Sequence, residues 1–302
     1  MAIGAVNWIK LLILGIIWGA SFMGVAVALQ GFPPLTIAAL RIGLGAFFLT
    51  AVVLVNGIGL PSFRQREGRI IWLCALIMGI LSNALPFSLL SWGMTHVASG
   101  FAGVTMAVVP LFVLPLAHLL VPDSRMNLHS TLGFAAGFVG VLVLIGFDAF
   151  VSTGADLETL ARLACVGAAL CYALGAIVTR LCPNVNMLSL SAATLICGTV
   201  LIFPAALWQE GIPPLPHSVT PALAVIALGL FPTALAQVTL VQVARSAGPA
   251  FLSLVNYQVP VWSVLFGFLL LGETLPQQFF VALALILGGL ILSSHRRKPA
   301  QV

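Results

Sequence analysis

The chain has 302 residues, 61% hydrophobic and 6% charged, with mean hydropathy +1.18 and a net charge of +5. A soluble core of this size needs a charged shell, and the sequence has no material for one. A soluble enzyme and a nucleic-acid binder are therefore excluded, and the composition is that of a polytopic membrane protein.

Apolar runs of about 20 residues, long enough to cross a bilayer, recur ten times. The first, 9–30, has a basic residue at Lys10 as a signal peptide would, but it is longer than a signal's apolar core and nine more runs follow, so it is a retained helix. Trp18 and Ser21 stand deep within it, and Gly15-x-x-x-Gly19 is the spacing at which helices approach closely. The second, 33–56, holds Arg41, the one ionised residue well inside a span, ~12 Å from its outer end at 1.5 Å per residue. A cation at that depth either serves function or has a structural use, capping helix carbonyls or pairing with Asp148 or Glu210.

The third span, 70–92, places Ser82 and Asn83 at its middle with Phe87 one turn on. The fourth, 97–121, contains Pro110, and the fifth, 129–148, contains Gly133-x-x-x-Gly137. The most polar linker in the chain, 149–158, precedes the sixth span, 159–181, with Tyr172 near its centre. The seventh, 187–208, has Thr194 or a neighbour where the second has Arg41. The eighth, 221–243, sets Thr233 and Gln237 four apart on one face. The ninth, 249–271, carries Ser253, Asn256 and Tyr257 on one stripe, Gln258 beside it, and Pro260. After the tenth, 276–294, comes a basic tail, 296–302.

Polar groups in hydrocarbon are costly, so those present face a cavity or a partner helix. Trp18, Ser21, Asn83, Phe87, Tyr172, Thr233, Gln237, Asn256, Tyr257 and Gln258 are accordingly expected to line a substrate path. The amides could instead bond across helices, and Ser and Thr can satisfy themselves on their own helix. Pro110 and Pro260 free helix carbonyls and permit bending, which assigns them, with Arg41, a gating or mechanical part. The five cysteines have no metal-ligand spacing and read as reduced, packed thiols. No metal or other cofactor is expected.

Residues 79–123 laid ungapped on 229–273 give identities at Gly79/Gly229, Ala84/Ala234, Leu85/Leu235, Leu90/Leu240, Phe101/Phe251 and Pro110/Pro260. The chain is a duplicated unit of half its length: a first five-helix repeat, 1–148, and a second, 159–295. Five spans is an odd number, so the second repeat enters the membrane upside down, the arrangement that supports alternating access. With the N-terminus in the cytoplasm, Lys10, Arg64, Arg66, Arg69, Arg125, Arg180, Arg245, Arg296, Arg297 and Lys298 all fall inside, and Arg162 alone falls outside. Both termini are therefore expected in the cytoplasm.

No Asp or Glu lies well inside a span, Asp148 standing at the very end of the fifth, and a carboxylate is the usual relay of proton-coupled antiport. No lysine lies well inside one either, Lys10 standing at the very start of the first, which argues against capture of a phosphate. A neutral or zwitterionic substrate, moving down its own gradient, fits best. An intramembrane enzyme would need a buried nucleophile and base or metal ligands, and no His-x-x-x-His or Gly-x-Ser-x-Gly sits in a span. A membrane receptor or assembly factor is the remaining alternative of another class, and the inverted duplication opposes it.

The five-plus-five repeat, Trp18-Gly19 with Phe22, Leu40-Arg41, Pro110-Leu111-Phe112, Pro260-Val261-Trp262, Leu271-Gly272-Glu273-Thr274 and the Gly288–Leu292 run together resemble the drug/metabolite transporter superfamily, specifically its ten-span EamA-type exporters. The resemblance covers nearly the whole chain. It departs from an even duplication where Pro122-Asp123 stands against Gly272-Glu273. It implies an all-α, inner-membrane exporter of small metabolites, amino acids above all and aromatic ones especially, with drug-like or nucleobase- and sugar-type compounds as alternative cargo. It further implies a central cavity among spans 1, 3, 4, 6, 8 and 9. The expected partners are membrane lipid and a small-molecule substrate, with no nucleic acid, and a monomer is expected rather than a homodimer.

Overall fold

In the computed structural model, residues 4–97, 102, 105–122, 127–145, 156–213, 218–271 and 278–294 are described. Among them no strand occurs, and the chain forms helical rods. These are α1 (Ala5–Ala28), α2 (Pro34–Val55), α3 (Arg66–Gly93), α4 (Val109–Leu120) and α5 (Leu128–Ile145). They continue as α6 (Glu158–Leu181), α7 (Met187–Glu210), α8 (Val219–Ser246), α9 (Pro249–Ser253, resuming after Leu254 as Val255–Leu271) and α10 (Phe279–Ser294). Six of them, α1, α2, α3, α6, α7 and α8, are long and apolar enough to span a membrane, and α4, α5 and α10 are shorter apolar helices. Large apolar side chains such as Phe47, Leu73, Leu163, Val200 and Phe280 stand exposed on their outer faces, as a lipid solvent requires.

Local chemistry sets the helix ends. The Asn186 side chain accepts from the amides of Leu188 and Ser189 to begin α7, and Ser218 accepts from Thr220 to begin α8. Helix α2 begins on Pro33-Pro34 and takes its cap from a distant residue. Glu210, at the end of α7, accepts from the amides of Leu35 and Thr36 at 2.9 and 2.7 Å and from Thr36 Oγ1 at 2.8 Å. Glu210 is thus committed to the α2 N-terminus and does not pair with Arg41, as one sequence alternative allowed. At the opposite end of the bundle, Arg245 of α8 donates to the carbonyls of Cys182, Pro183 and Val185, fastening the α6–α7 turn. Gly248, with φ +91°, lets the chain reverse between α8 and α9 where an L side chain would be strained.

The packing repeats itself at an interval of five helices. Helix α1 lies on α8 and α9, as α6 lies on α3 and α4. Helix α2 lies on α8 as α7 lies on α3, while α2 with α7, α4 with α9, and α5 with α10 pair across the halves. The match reaches single atoms. A Cβ on Gly79 would meet the carbonyl oxygen of Thr194 at 2.8 Å, and one on Gly229 would meet that of Arg41 at 3.1 Å. Thr194 and Arg41 therefore occupy corresponding places, as the sequence register implied.

Helices α3 and α8 each widen into a π turn at the same register, Ile80–Ala84 and Gly229–Leu235. Prolines explain both: Pro86 and Pro232 withhold an amide hydrogen that the preceding turn would use. Two expectations change. Pro110, expected as a midspan bend, sits in the first turn of α4, where its missing amide has no helical partner to lose. Only Pro260 lies inside its helix. Glu158, placed in the polar linker by sequence, opens α6 and is buried against Arg162 one turn on. The rest of the linker, 149–155, with Asp148 and Glu273, lies outside the described residues.

Candidate functional site

Both π turns reach one cavity, Ser82 and Asn83 from the first and Pro232 from the second, and polar side chains cluster around them. In α8, Thr233 Oγ1 donates at 2.7 Å to the Leu228 carbonyl, the group that Pro232 deprives of its amide. Asn83 Nδ2 makes the corresponding, longer approach of 3.5 Å to the Met78 carbonyl, five residues back in α3. Asn83 also reaches across the halves to Gln237 Oε1 at 3.4 Å. Trp18 of α1 donates from Nε1 to the Pro232 carbonyl at 3.2 Å, using an oxygen that the widened turn exposes.

Between these groups lies that cavity, walled by α1, α2, α3, α4, α6, α8 and α9. Its polar lining includes Ser21, Arg41, Ser82, Asn83, Ser91, Gln237, Ser253 and Asn256, and its aromatic wall is Trp18, Phe22, Phe87 and Tyr172. Phe87 and Tyr172 meet edge to face at 6.5 Å. Among the described residues no carboxylate lines the cavity, and no cluster of His, Cys, Asp or Glu suited to a metal ion occurs.

Arg41 is the charged member of the lining. It is buried, its Nε donates to Thr233 Oγ1 at 3.1 Å, and its guanidinium carbon lies 3.9 Å over the Phe87 ring centroid. That stacking holds the flat cation against one wall. Among the described residues the one ion pair is Arg162 with Glu158, so Arg41 has no carboxylate partner there. Gln237 Nε2 is likewise buried without a hydrogen-bond partner.

Of the residues singled out in the sequence, Trp18, Ser21, Asn83, Phe87, Tyr172, Gln237 and Asn256 meet at this cavity, with Arg41. Three do not. Thr233 is buried behind Arg41 and supports it rather than lining the space. Tyr257 is fully buried away from the cavity, its hydroxyl donating to the Phe134 carbonyl of α5 at 2.7 Å and its ring lying over Gly137. Gln258 turns toward α1, where its side chain fills the space over Gly15.

The cause is local. Around Leu254 the amides of Leu254 and Tyr257 bond three residues back, to Phe251 and Leu254. Such overwinding brings residues i and i+3 into line. Ser253 and Asn256 therefore share the cavity face, joined by Asn256 Nδ2 to the Ser253 carbonyl at 3.0 Å, and Tyr257 rotates off the stripe. Ser91, one turn beyond Phe87, and Met94 and Met106 also line the cavity and were missed. Ser91 carried a sequence signal, two turns beyond Asn83 on the same helix. The methionines carried none: Met106 stands in an apolar run, and Met94 in the turn between the third and fourth spans.

The EamA-like transporter family model matches the chain twice, at residues 7–146 and 159–295. YedA of Escherichia coli strain K12, an uncharacterized inner membrane transporter, is 29% identical over 282 residues, 92% of this chain and 87% of its own length. The uncharacterized transporter YoaV of Bacillus subtilis strain 168 is 24% identical over 94% of this chain and 96% of YoaV. A probable terminal-alkyne amino-acid exporter of Streptantibioticus cattleyicolor is 24% identical over 92% of this chain and 90% of that exporter. A solved crystal structure, 20% identical, shares the fold with a TM-score of 0.79 over 96% of both chains.

Proposed function

The chain belongs to the EamA-like transporter family, and on that premise we propose that it exports small neutral or zwitterionic metabolites across a bacterial inner membrane by alternating access. Amino acids with aromatic or hydrophobic side chains are the foremost cargo. In this reading the ten rods each cross the bilayer as two inverted units of five, 1–148 and 159–295, with both termini in the cytoplasm and the monomer as the working unit. Transport, rather than catalysis, is the activity assigned.

One observation carries the reading: both halves contribute to a single cavity whose wall, among the described residues, combines aromatic rings with amide and hydroxyl groups and no carboxylate. Convergent polar groups in a mostly apolar concavity are the usual form of a small-molecule site, and a site between two like halves is where alternating access needs it. The named activity of the Streptantibioticus relative supports the amino-acid class. The test is uptake of a labelled amino-acid panel by proteoliposomes holding the purified protein, against empty liposomes. Accumulation of aromatic or aliphatic amino acids above the control is expected, and no accumulation of any member refutes the reading.

A further inference from the structure

We infer that Arg41 is the anchor for a carboxylate on the transported molecule, so that the cavity selects amphipathic carboxylates and does not require their amine. The inference rests on the cavity being the substrate site. A guanidinium carries five donors, and among the described residues only the Nε–H of Arg41 is engaged, by the neutral Thr233 hydroxyl. The side chain is nonetheless 4% exposed and lines the cavity. A buried charge without a counter-ion is strongly unfavourable, and an anion entering the cavity supplies one.

The close approach of α2 to α8 does not use the cation. Gly229 meets the backbone carbonyl of Arg41 as Gly79 meets that of Thr194 in the other half, and the guanidinium takes no part in that contact. The stacking on Phe87 fixes the plane of the guanidinium, which suits the flat, two-oxygen geometry of a carboxylate. A single fixed cation with no lysine beside it matches a monoanion better than a phosphate dianion. Trp18, Phe22, Tyr172, Met94 and Met106 then enclose an apolar or aromatic body. Among the described residues no lining carboxylate is present to hold an ammonium group, so the amine contributes little to binding.

The test measures binding to the purified protein by calorimetry with four probes that differ at one end: L-phenylalanine, 3-phenylpropionate, 3-phenylpropionamide and 2-phenylethylamine. Both carboxylates are expected to bind at least tenfold more tightly than the amide and the amine. Arg41→Gln should bring the acids down to the level of the amide, while Arg41→Lys should keep the order with severalfold weaker binding. Equal affinity of acid and amide, preference for the amine, no binding by any probe, or an unchanged order in Arg41→Gln overturns the anchor. If Arg41→Gln does not fold, the order in the native protein and in Arg41→Lys decides. Counterflow in proteoliposomes separates the two readings. The expected order of binding with no exchange of any probe sinks transport and leaves the anchor, whereas equal exchange of acid and amide sinks the anchor and leaves transport.

Discussion

Replacing Glu210 by Ala removes three hydrogen bonds at once from the start of α2, two from backbone amides and one from the Thr36 hydroxyl. Bonds to a charged acceptor contribute about 1.5–3 kcal/mol each when buried, and loss of an N-cap costs about 0.5–2 kcal/mol. Glu210 is only half-buried, so water takes over most of the acceptor's role and the loss falls at the top of the capping range rather than at the sum of three buried bonds. A total of about 2 kcal/mol is expected, roughly a 30-fold shift in the folded-to-unfolded ratio. Glu210→Gln keeps one oxygen but turns an amide donor toward donors, so it should recover less than half of the loss. Unfolding of the protein in bicelles by added SDS measures the shift, and amide exchange at Leu35 and Thr36 locates it. An alanine variant with the native midpoint and native exchange at both amides refutes the account of how α7 holds α2.

Asn256→Ala should cut transport, while Tyr257→Phe should leave it at the parental rate and cost about 0.6 kcal/mol of stability for one lost interhelical bond; initial uptake rates and SDS unfolding read the two effects. Gly79→Val and Gly229→Val should each destabilise by about 1–3 kcal/mol, because backbone oxygens stand within 2.8 and 3.1 Å of the added Cβ and cannot move aside; equal midpoints for variant and parent would show that the contacts are looser than described. A cysteine introduced at Ser152 should react with a membrane-impermeant thiol reagent in intact cells, and labelling only after permeabilisation would reverse the proposed orientation.

The apolar runs, their pairing at an interval of 150 residues and the few polar residues at midspan are all plain in the sequence, because burying a polar group in hydrocarbon is expensive enough to leave a mark on composition alone. That cost marks out Asn83, Gln237 and Arg41 without saying what they face. Hydropathy is a scalar, and in helices apolar on every side the rotation about each axis has no amphipathic stripe to report it. Close contacts decide it instead. Two glycines press α3 onto α7 and α8 onto α2, two prolines open the π turns whose carbonyls Trp18 and Thr233 occupy, and the overwound turn at Leu254 sends Asn256 to the cavity and Tyr257 to α5. The partner of Arg41 is the plainest case. The sequence offered Asp148 or Glu210, the opposite charge, but the tertiary structure sends Glu210 to unsatisfied helix amides, and among the described residues the arginine meets a hydroxyl, a ring and the cavity.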